Sequence, residues 1–249
     1  MKNKGVISSL FSVSSILIMF VAWQLYSISI NNPTLMPDPI NVFKRLYEML
    51  VDKDTYVVVF TSLSRLLLSL VLATVLGTIL GLLSGIHSTV EAFLKPLIVT
   101  VRTLPVISII IVILIIFGNT ATLYIISFLL LFPIIYQAEL DGVKNIDRLL
   151  IDVLRLECDD TNTNVLKLVY FPLSIPFLRT ALIEAVGLGF KVLVVAEYIA
   201  QTKVSIGKEI YMAKVNLEFA DVFAWTIMLL LFVLLIEFTV EKLLSPRVE

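Results

Sequence analysis

Residues Asp141–Pro176, DGVKNIDRLLIDVLRLECDDTNTNVLKLVYFPLSIP, form the longest polar passage of the chain, and apolar runs flank it on both sides. Ile146, Leu149, Leu150, Val153, Leu154 and Leu156 recur at spacings near three and four, the period of a helix with an apolar face. The polar knot from Glu157 to Asn164 ends that helix. Val165-Leu166-Lys167-Leu168-Val169 then starts a second short helix that leads into Pro172 and Pro176. A helix, a turn and another helix between two apolar runs read as a loop that touches something in the water.

The flanks set the class. Of 249 residues, 59% are hydrophobic and 16% charged, with a mean hydropathy of +1.00. Soluble domains carry about 25% charged residues, and long apolar runs recur here, so the expectation is a polytopic, all-α membrane protein. Six spans are expected, at about 6–28, 56–86, 94–117, 121–137, 177–200 and 222–238, in a single membrane domain covering 1–249. The first run follows Lys2 and Lys4 but has no small-residue cleavage site, so it reads as a retained span. Ile40 to Leu50 is a short amphipathic helix, with Val42, Leu46 and Leu50 on one side, expected to lie at the surface. Pro105 predicts a kink or a broken first turn in the third span, and Gly118-Asn119-Thr120 a tight turn before the fourth. Lys and Arg are more numerous on the side holding Asp141–Pro176 and both ends of the chain, so that side is expected to be cytoplasmic.

Ala73, Gly77, Gly81 and Gly85 are each four apart and fall on one helical stripe, where small side chains let a second backbone approach closely. Arg65, Glu184, Lys191 and Glu197 lie in or near apolar spans. Ionisable groups in hydrocarbon cost several kcal/mol, so they face a partner or a water-filled cavity. Glu184 and Lys191 are two turns apart on one face, with Gly187 and Gly189 between them. Two readings stay open: these charges line a translocation path, with Arg65 and Lys191 attracting an anion, or they form structural ion pairs. A net charge of −1 gives no field for nucleic acid. One histidine, His87, and one cysteine, Cys158, leave no metal site, disulfide or Ser-His-Asp set to assemble. There is no G-x-x-x-x-G-K-[ST] phosphate loop, so no nucleotide-hydrolysing site of that kind is expected on this chain.

The polar loop resembles the EAA loop of ATP-binding-cassette importer permeases, in which a helix bearing Glu-Ala-Ala, a glycine turn and a short helix end in a Leu-Pro element. Tyr170-Phe171-Pro172 and Ile175-Pro176 look like the closing element. Further stretches are similar to the nitrate, sulfonate, taurine and bicarbonate branch: Met36-Pro37-Asp38-Pro39 with its short helix, Thr61-Ser62-Leu63-Ser64-Arg65 with the glycine stripe, and Arg102-Thr103-Leu104-Pro105. Ala196-Glu197, Gly207, Ile210 and Asp221-Val222-Phe223-Ala224 resemble its last periplasmic segment, so the resemblance covers roughly residues 36 to 243. Counting back from Pro172 sets either Val153-Leu154-Arg155 or, shifted by one, Asp152-Val153-Leu154 at the Glu-Ala-Ala position. The turn glycine is absent, and Cys158 or Asp159 stands near it; Asp159 tolerates the turn conformation.

The resemblance implies a MetI-like, type I importer permease in the bacterial inner membrane, multi-pass, with both termini cytoplasmic. It implies partners: ATPase subunits that carry ATP and Mg, a second permease copy (the same chain or a related one), an extracytoplasmic binding protein and membrane lipid. No cofactor is expected on this chain. Asp159 to Lys167 would be the helix that couples to the ATPase, with Asp152, Asp159, Asp160, Val165, Leu166 and Lys167 in contact; the alternative is a solvated loop holding two spans apart. Gln201–Phe219 with Met36–Asp54 would form the outer docking surface. The substrate expected is a small anion of the sulfonate, taurine, nitrate or bicarbonate type. The alternatives are a pyrimidine of the thiamine-precursor kind, a stand-alone secondary carrier, and a membrane enzyme or assembly factor.

Overall fold

A computed structural model describes residues 2–157 and 163–244. Among them every regular element is helical: α1 (Lys2–Ile30), α2 (Pro39–Val51), α3 (Lys53–Ile86), α4 (Ser88–Thr103), α5 (Val106–Lys144), α6 (Arg148–Glu157), α7 (Thr163–Val165), a π-helical turn (Leu166–Tyr170), α8 (Phe171–Ala200), α9 (Ile206–Val215) and α10 (Phe219–Leu244). Cys158, Asp159 and Asp160 lie outside the described residues. By length and composition α3, α5 and Phe219–Lys242 of α10 can cross a membrane, and the apolar part of α1, Ser14–Ile30, is shorter. Two compact units divide the chain: Met1–Val57 with Glu209–Leu230, and Val58–Lys208 with Leu231–Glu249.

In the first unit, the Met36–Pro39 turn is fastened to α1. Trp23 Nε1 donates to the Pro37 carbonyl at 3.1 Å and Ser27 Oγ to the Met36 carbonyl at 2.9 Å. Pro39 then opens α2 at the position where its missing N–H costs nothing. The buried stripe of α2 is Val42, Leu46 and Met49, while Leu50, expected on that side, is 40% exposed. The spacing 42-46-49 follows the helical period more closely than 42-46-50 does. Aromatic rings complete the packing, Phe20 on Phe43 at 5.7 Å and Trp23 on Phe223 at 5.4 Å.

The second unit is organised by α5 and α8, with α3 against α5. The glycine stripe of α3 meets α5 backbone to backbone. A Cβ on Gly81 would sit 2.6 Å from Glu139 Cβ and 2.8 Å from the Tyr136 carbonyl; one on Gly77 would sit 2.9 Å from Ile135 Cβ, and one on Gly85 2.5 Å from Val143 Cβ. Only hydrogen fits there.

Proline and glycine at three places set where the helices break and continue. The third run, expected as one span over Leu94–Phe117, is two helices. Leu104 is extended (φ −68°, ψ 138°), because the residue before Pro105 is driven out of the helical region, and α5 starts afresh at Val106. Gly118 breaks α5 internally with φ 77° and ψ 177°, a conformation open to glycine alone, and Thr122 Oγ1 donates to its carbonyl at 2.6 Å. Beyond Gly118 the helix continues past Gln137 to Lys144. Finally, Pro172 and Pro176 do not stop the chain. The Leu166–Tyr170 turn widens, with Phe171 N–H bonding five residues back to Leu166, and the helix runs on to Ala200. The wide turn moves the preceding carbonyls clear of the Pro172 ring.

Candidate functional site

The charges predicted to lie inside the membrane separate into two groups, Arg65 with Glu197 at the C-terminal end of α8 and Glu184 with Lys191 along its middle. At its C-terminal end Glu197 is fully buried, and its carboxylate is held by several donors. Arg65 Nη1 donates to Oε1 at 2.9 Å, Ser62 Oγ lies 2.8 and 3.0 Å from the two oxygens, and Gly207 N–H donates to Oε2 at 3.2 Å. Ile206 N–H in turn donates to Ser62 Oγ at 3.2 Å. Gly207 is required for this approach, since a Cβ there would lie 2.4 Å from both the Tyr198 nitrogen and the Val194 carbonyl. The cluster therefore ties α3, α8 and the start of α9 together. Arg65 is only 10% exposed, so the pair is closed to solvent on both sides.

Glu184 and Lys191 are exposed, on one stripe of α8 with Thr180, Leu188 and Val195. They make no ion pair with a described residue. Gly187 and Gly189 face the other way, Gly187 beneath Glu237 of α10 and Gly189 against Leu66 and Leu131. Glu184 borders a cavity of about 500 Å³ whose polar lining comes from α4 (Arg102), α5 (Gln137, Asp141) and α8 (Thr180, Glu184). Gln137 Nε2 donates to Asp141 Oδ1 at 2.9 Å. A second cavity of about 200 Å³ shares Arg102, Gln137 and Asp141 and adds Glu91, Lys95 and Lys144, where Lys144 Nζ meets Glu91 at 2.6 Å.

Near the N-terminal end of α8 the structure holds a carboxyl group that the sequence reading missed. Glu139 is fully buried, receives a hydrogen bond from Ser174 Oγ, and has its second oxygen unpartnered. Gly142, one turn on, lets Ser174 approach, its Cβ position falling 2.8 Å from Ser174 Cβ. The sequence does carry the signal: Leu131, Ile135 and Glu139 are spaced by four on α5, so Glu139 continues the buried stripe.

The loop residues expected to meet a partner also separate. Val165 is 8% exposed and joins a cluster with Val143, Ile146 and Tyr170, against which Leu166 and Val169 pack. Val165 and Leu166, expected as outward contacts, are therefore turned into the chain itself. The outward apolar side chains are Leu149 (73% exposed), Val153 (53%) and Leu156 (87%) on α6, and Leu168 (76%) in the π-turn. Asp152 and Lys167 are exposed beside them.

Long helices apolar enough to cross a membrane, a buried ion pair, a charged cavity and an amphipathic loop helix make an all-α membrane protein. The chain belongs to the family of binding-protein-dependent transport system inner membrane components, whose model matches residues 73–249. It has the MetI-like architecture of importer permeases, and is a permease subunit of an ATP-binding-cassette importer. It is 26% identical over 192 residues to the taurine transport system permease protein of Escherichia coli (strain K12), an alignment covering 75% of this chain and 70% of the relative.

Proposed function

We propose that the chain is a pore-forming permease of an importer for a small organic sulfonate, driven through its inner-face loop by a separate ATPase that binds ATP and Mg. In this reading the subunit pairs with a second permease, receives substrate from an extracytoplasmic binding protein, and sits in the bacterial inner membrane with both termini in the cytoplasm. The observation that carries it is the apolar row on α6. Leu149, Val153 and Leu156 are spaced by four and three on one helical face and point outward from a loop helix. An apolar stripe of that kind, on a helix outside the apolar spans, fits the groove of a partner. Asp152 and Lys167, with Asp159 and Asp160 between the two loop helices, would supply its polar rim.

The substrate class is drawn from the taurine permease relative and from the exposed α8 stripe, where Lys191 offers an anion a positive group between Leu188 and Val195. The test is purification of the tagged chain from its native membranes, followed by uptake in proteoliposomes with the accompanying proteins. Co-purification of an ATPase and ATP-dependent uptake of a sulfonate are expected. Sulfonate uptake without any ATPase would overturn the reading.

A further inference from the structure

We infer that Glu237 of α10 is the built-in counter-ion of Lys191 of α8, and that an anion taking Lys191 must displace it. Glu237 then sets how firmly the path holds its cargo. This rests on the importer reading and names a further residue that governs it.

The inference starts from what covers one turn of α8. A Cβ added at Gly187 would collide with the Glu237 carboxylate oxygen Oε1, and Val233 Cγ1 of α10 would follow at 3.8 Å. The missing side chain at Gly187 is therefore what lets the Glu237 carboxylate rest on the α8 backbone. Gly187 is buried, Glu237 half-buried and Lys191 exposed.

Lys191 stands four positions on from Gly187, which lies at the buried edge of the stripe that carries it. Positions i and i+4 are surface neighbours on a helix, about 5–6 Å apart at Cβ. Long helical side chains lean toward the N-terminus of their own helix and cover the preceding turn. Lys191 thus reaches back over the turn that Glu237 covers from α10, and rotation of its four-carbon stem closes the remaining gap. Glu184 leans away by the same rule, toward Thr180 and Ala181, with which it lines the larger cavity. Glu237, and not Glu184, is the carboxylate placed for Lys191.

The two groups stand beside each other without an ion pair as the chain is arranged here. Both lie on helices with long apolar runs, where a charge without a partner is costly. A Lys191–Glu237 contact removes that cost when no anion is present, and an anion at Lys191 competes with it. A transport site must bind well enough to load and loosely enough to release. A carboxylate that returns to the lysine as the anion leaves supplies the release.

The test measures ethanesulfonate binding by saturation-transfer NMR on the permease–ATPase complex in nanodiscs, without binding protein, together with thermal unfolding of the same samples. Glu237→Gln should tighten binding about tenfold, the scale of one charge-assisted bond withdrawn from competition. Glu237→Asp, which keeps the charge, should return binding toward the wild-type value. Lys191→Met should weaken binding, and Glu237→Gln added to it should change nothing further. A merely structural Glu237 would lower stability without this dependence on Lys191. Unchanged binding in Glu237→Gln, or the same tightening with and without Lys191, would overturn the proposal. In unfolding, Lys191→Met with Glu237→Met should be more stable than either single variant, and additive losses would overturn the pair. If ethanesulfonate bound to none of these proteins, the sulfonate reading would fall, and the unfolding cycle would still decide the pair.

Discussion

The C-terminal end of α8 and the stretch from Ser174 to Glu184 handle charge in opposite ways. At Glu197 the carboxylate is fully buried and met by the Arg65 guanidinium, a serine hydroxyl and a backbone N–H. Near Glu184 and Ser174, by contrast, Glu184 is open to a cavity and Glu139 keeps an oxygen without a donor. Ser174 and Glu197 are 23 positions apart along one helix, about 35 Å at 1.5 Å per residue, of the order of a bilayer thickness. The difference teaches that residues of one chemical type, read from sequence as a single set of intramembrane charges, divide by neighbourhood. Glu197 has its counter-ion inside the fold, whereas Glu184 borders a cavity.

The largest effect should come from breaking the closed end. Glu197→Ala leaves the Arg65 guanidinium buried and unpaired, which costs about 3–5 kcal/mol. Folded yield in detergent should collapse, and Arg65→Met combined with Glu197→Met should recover much of it. If the single variant gave normal yield and thermal stability, the closed end would not be the structural lock the geometry describes.

Next in size is the seam between α3 and α5. Gly81→Ala drives a methyl into Glu139 Cβ and the Tyr136 carbonyl, neither of which is a flexible side-chain end, and should cost about 1–3 kcal/mol. Gly118→Ala makes a useful contrast. Nothing lies within 4 Å of its Cβ position, so the cost there is backbone strain at φ 77°, ψ 177° alone, about 1–3 kcal/mol. Thermal unfolding of the two variants separates crowding from strain. Adding Gly85→Ala should worsen Gly81→Ala but leave the Gly118→Ala effect additive.

At the open end stability should scarcely change and function should. Leu149→Asp with Leu156→Asp alters side chains that are mostly exposed, so folding and membrane insertion should persist. Uptake should fall about tenfold or more, as expected when central apolar anchors of an interface are replaced, while the partner ATPase keeps hydrolysing ATP. Val165→Asp is the internal control. Because Val165 packs with Val143, Ile146 and Tyr170, it should lower folded yield, and a pure loss of coupling with full stability would reassign it to the outer face.

Much of this layout was legible in the residues. The helical class followed from the apolar runs, and the Gly77, Gly81, Gly85 stripe pointed to close packing because only a repeat of four keeps small residues on one face. The break near Pro105 was legible from the proline itself, although its cause is the extended conformation a proline imposes on Leu104 before it. What failed was orientation. The apolar positions of residues 146–169 marked an amphipathic loop but not which positions faced inward, because the loop has apolar neighbours on one side, Val143 and Tyr170, and an outward stripe as well. Glu139 was missed because the run of charge after Gln137 read as the start of the loop. Its burial depends on Gly81 of α3 and Ser174 of α8, far apart in sequence.

The smallest effect uses the same chemistry without burial. In the other unit Arg45 of α2 pairs with Asp221 of α10 through two contacts, Nε to Oδ1 at 2.6 Å and Nη2 to Oδ2 at 2.8 Å, and with Glu48 at 3.0 Å. The hydrogen bonds to Asp221 first and Glu48 second raise the pKa of Arg45 further above its usual value. The geometry is bidentate, more favourable in shape than the single Arg65–Glu197 contact, yet the Arg45 side chain is 42% exposed. Solvent screens the pair and hydrates either partner left alone, so Asp221→Asn should cost about 0.2–1 kcal/mol and respond to added salt. Measured beside Glu197→Ala, it asks whether burial or bond geometry sets the strength of an arginine–carboxylate pair here. A loss for Asp221→Asn as large as that for Glu197→Ala, and insensitive to salt, would show that the Arg45 pair is desolvated in the assembled membrane complex. That outcome would move Asp221 and α2 from the exposed surface into an interface.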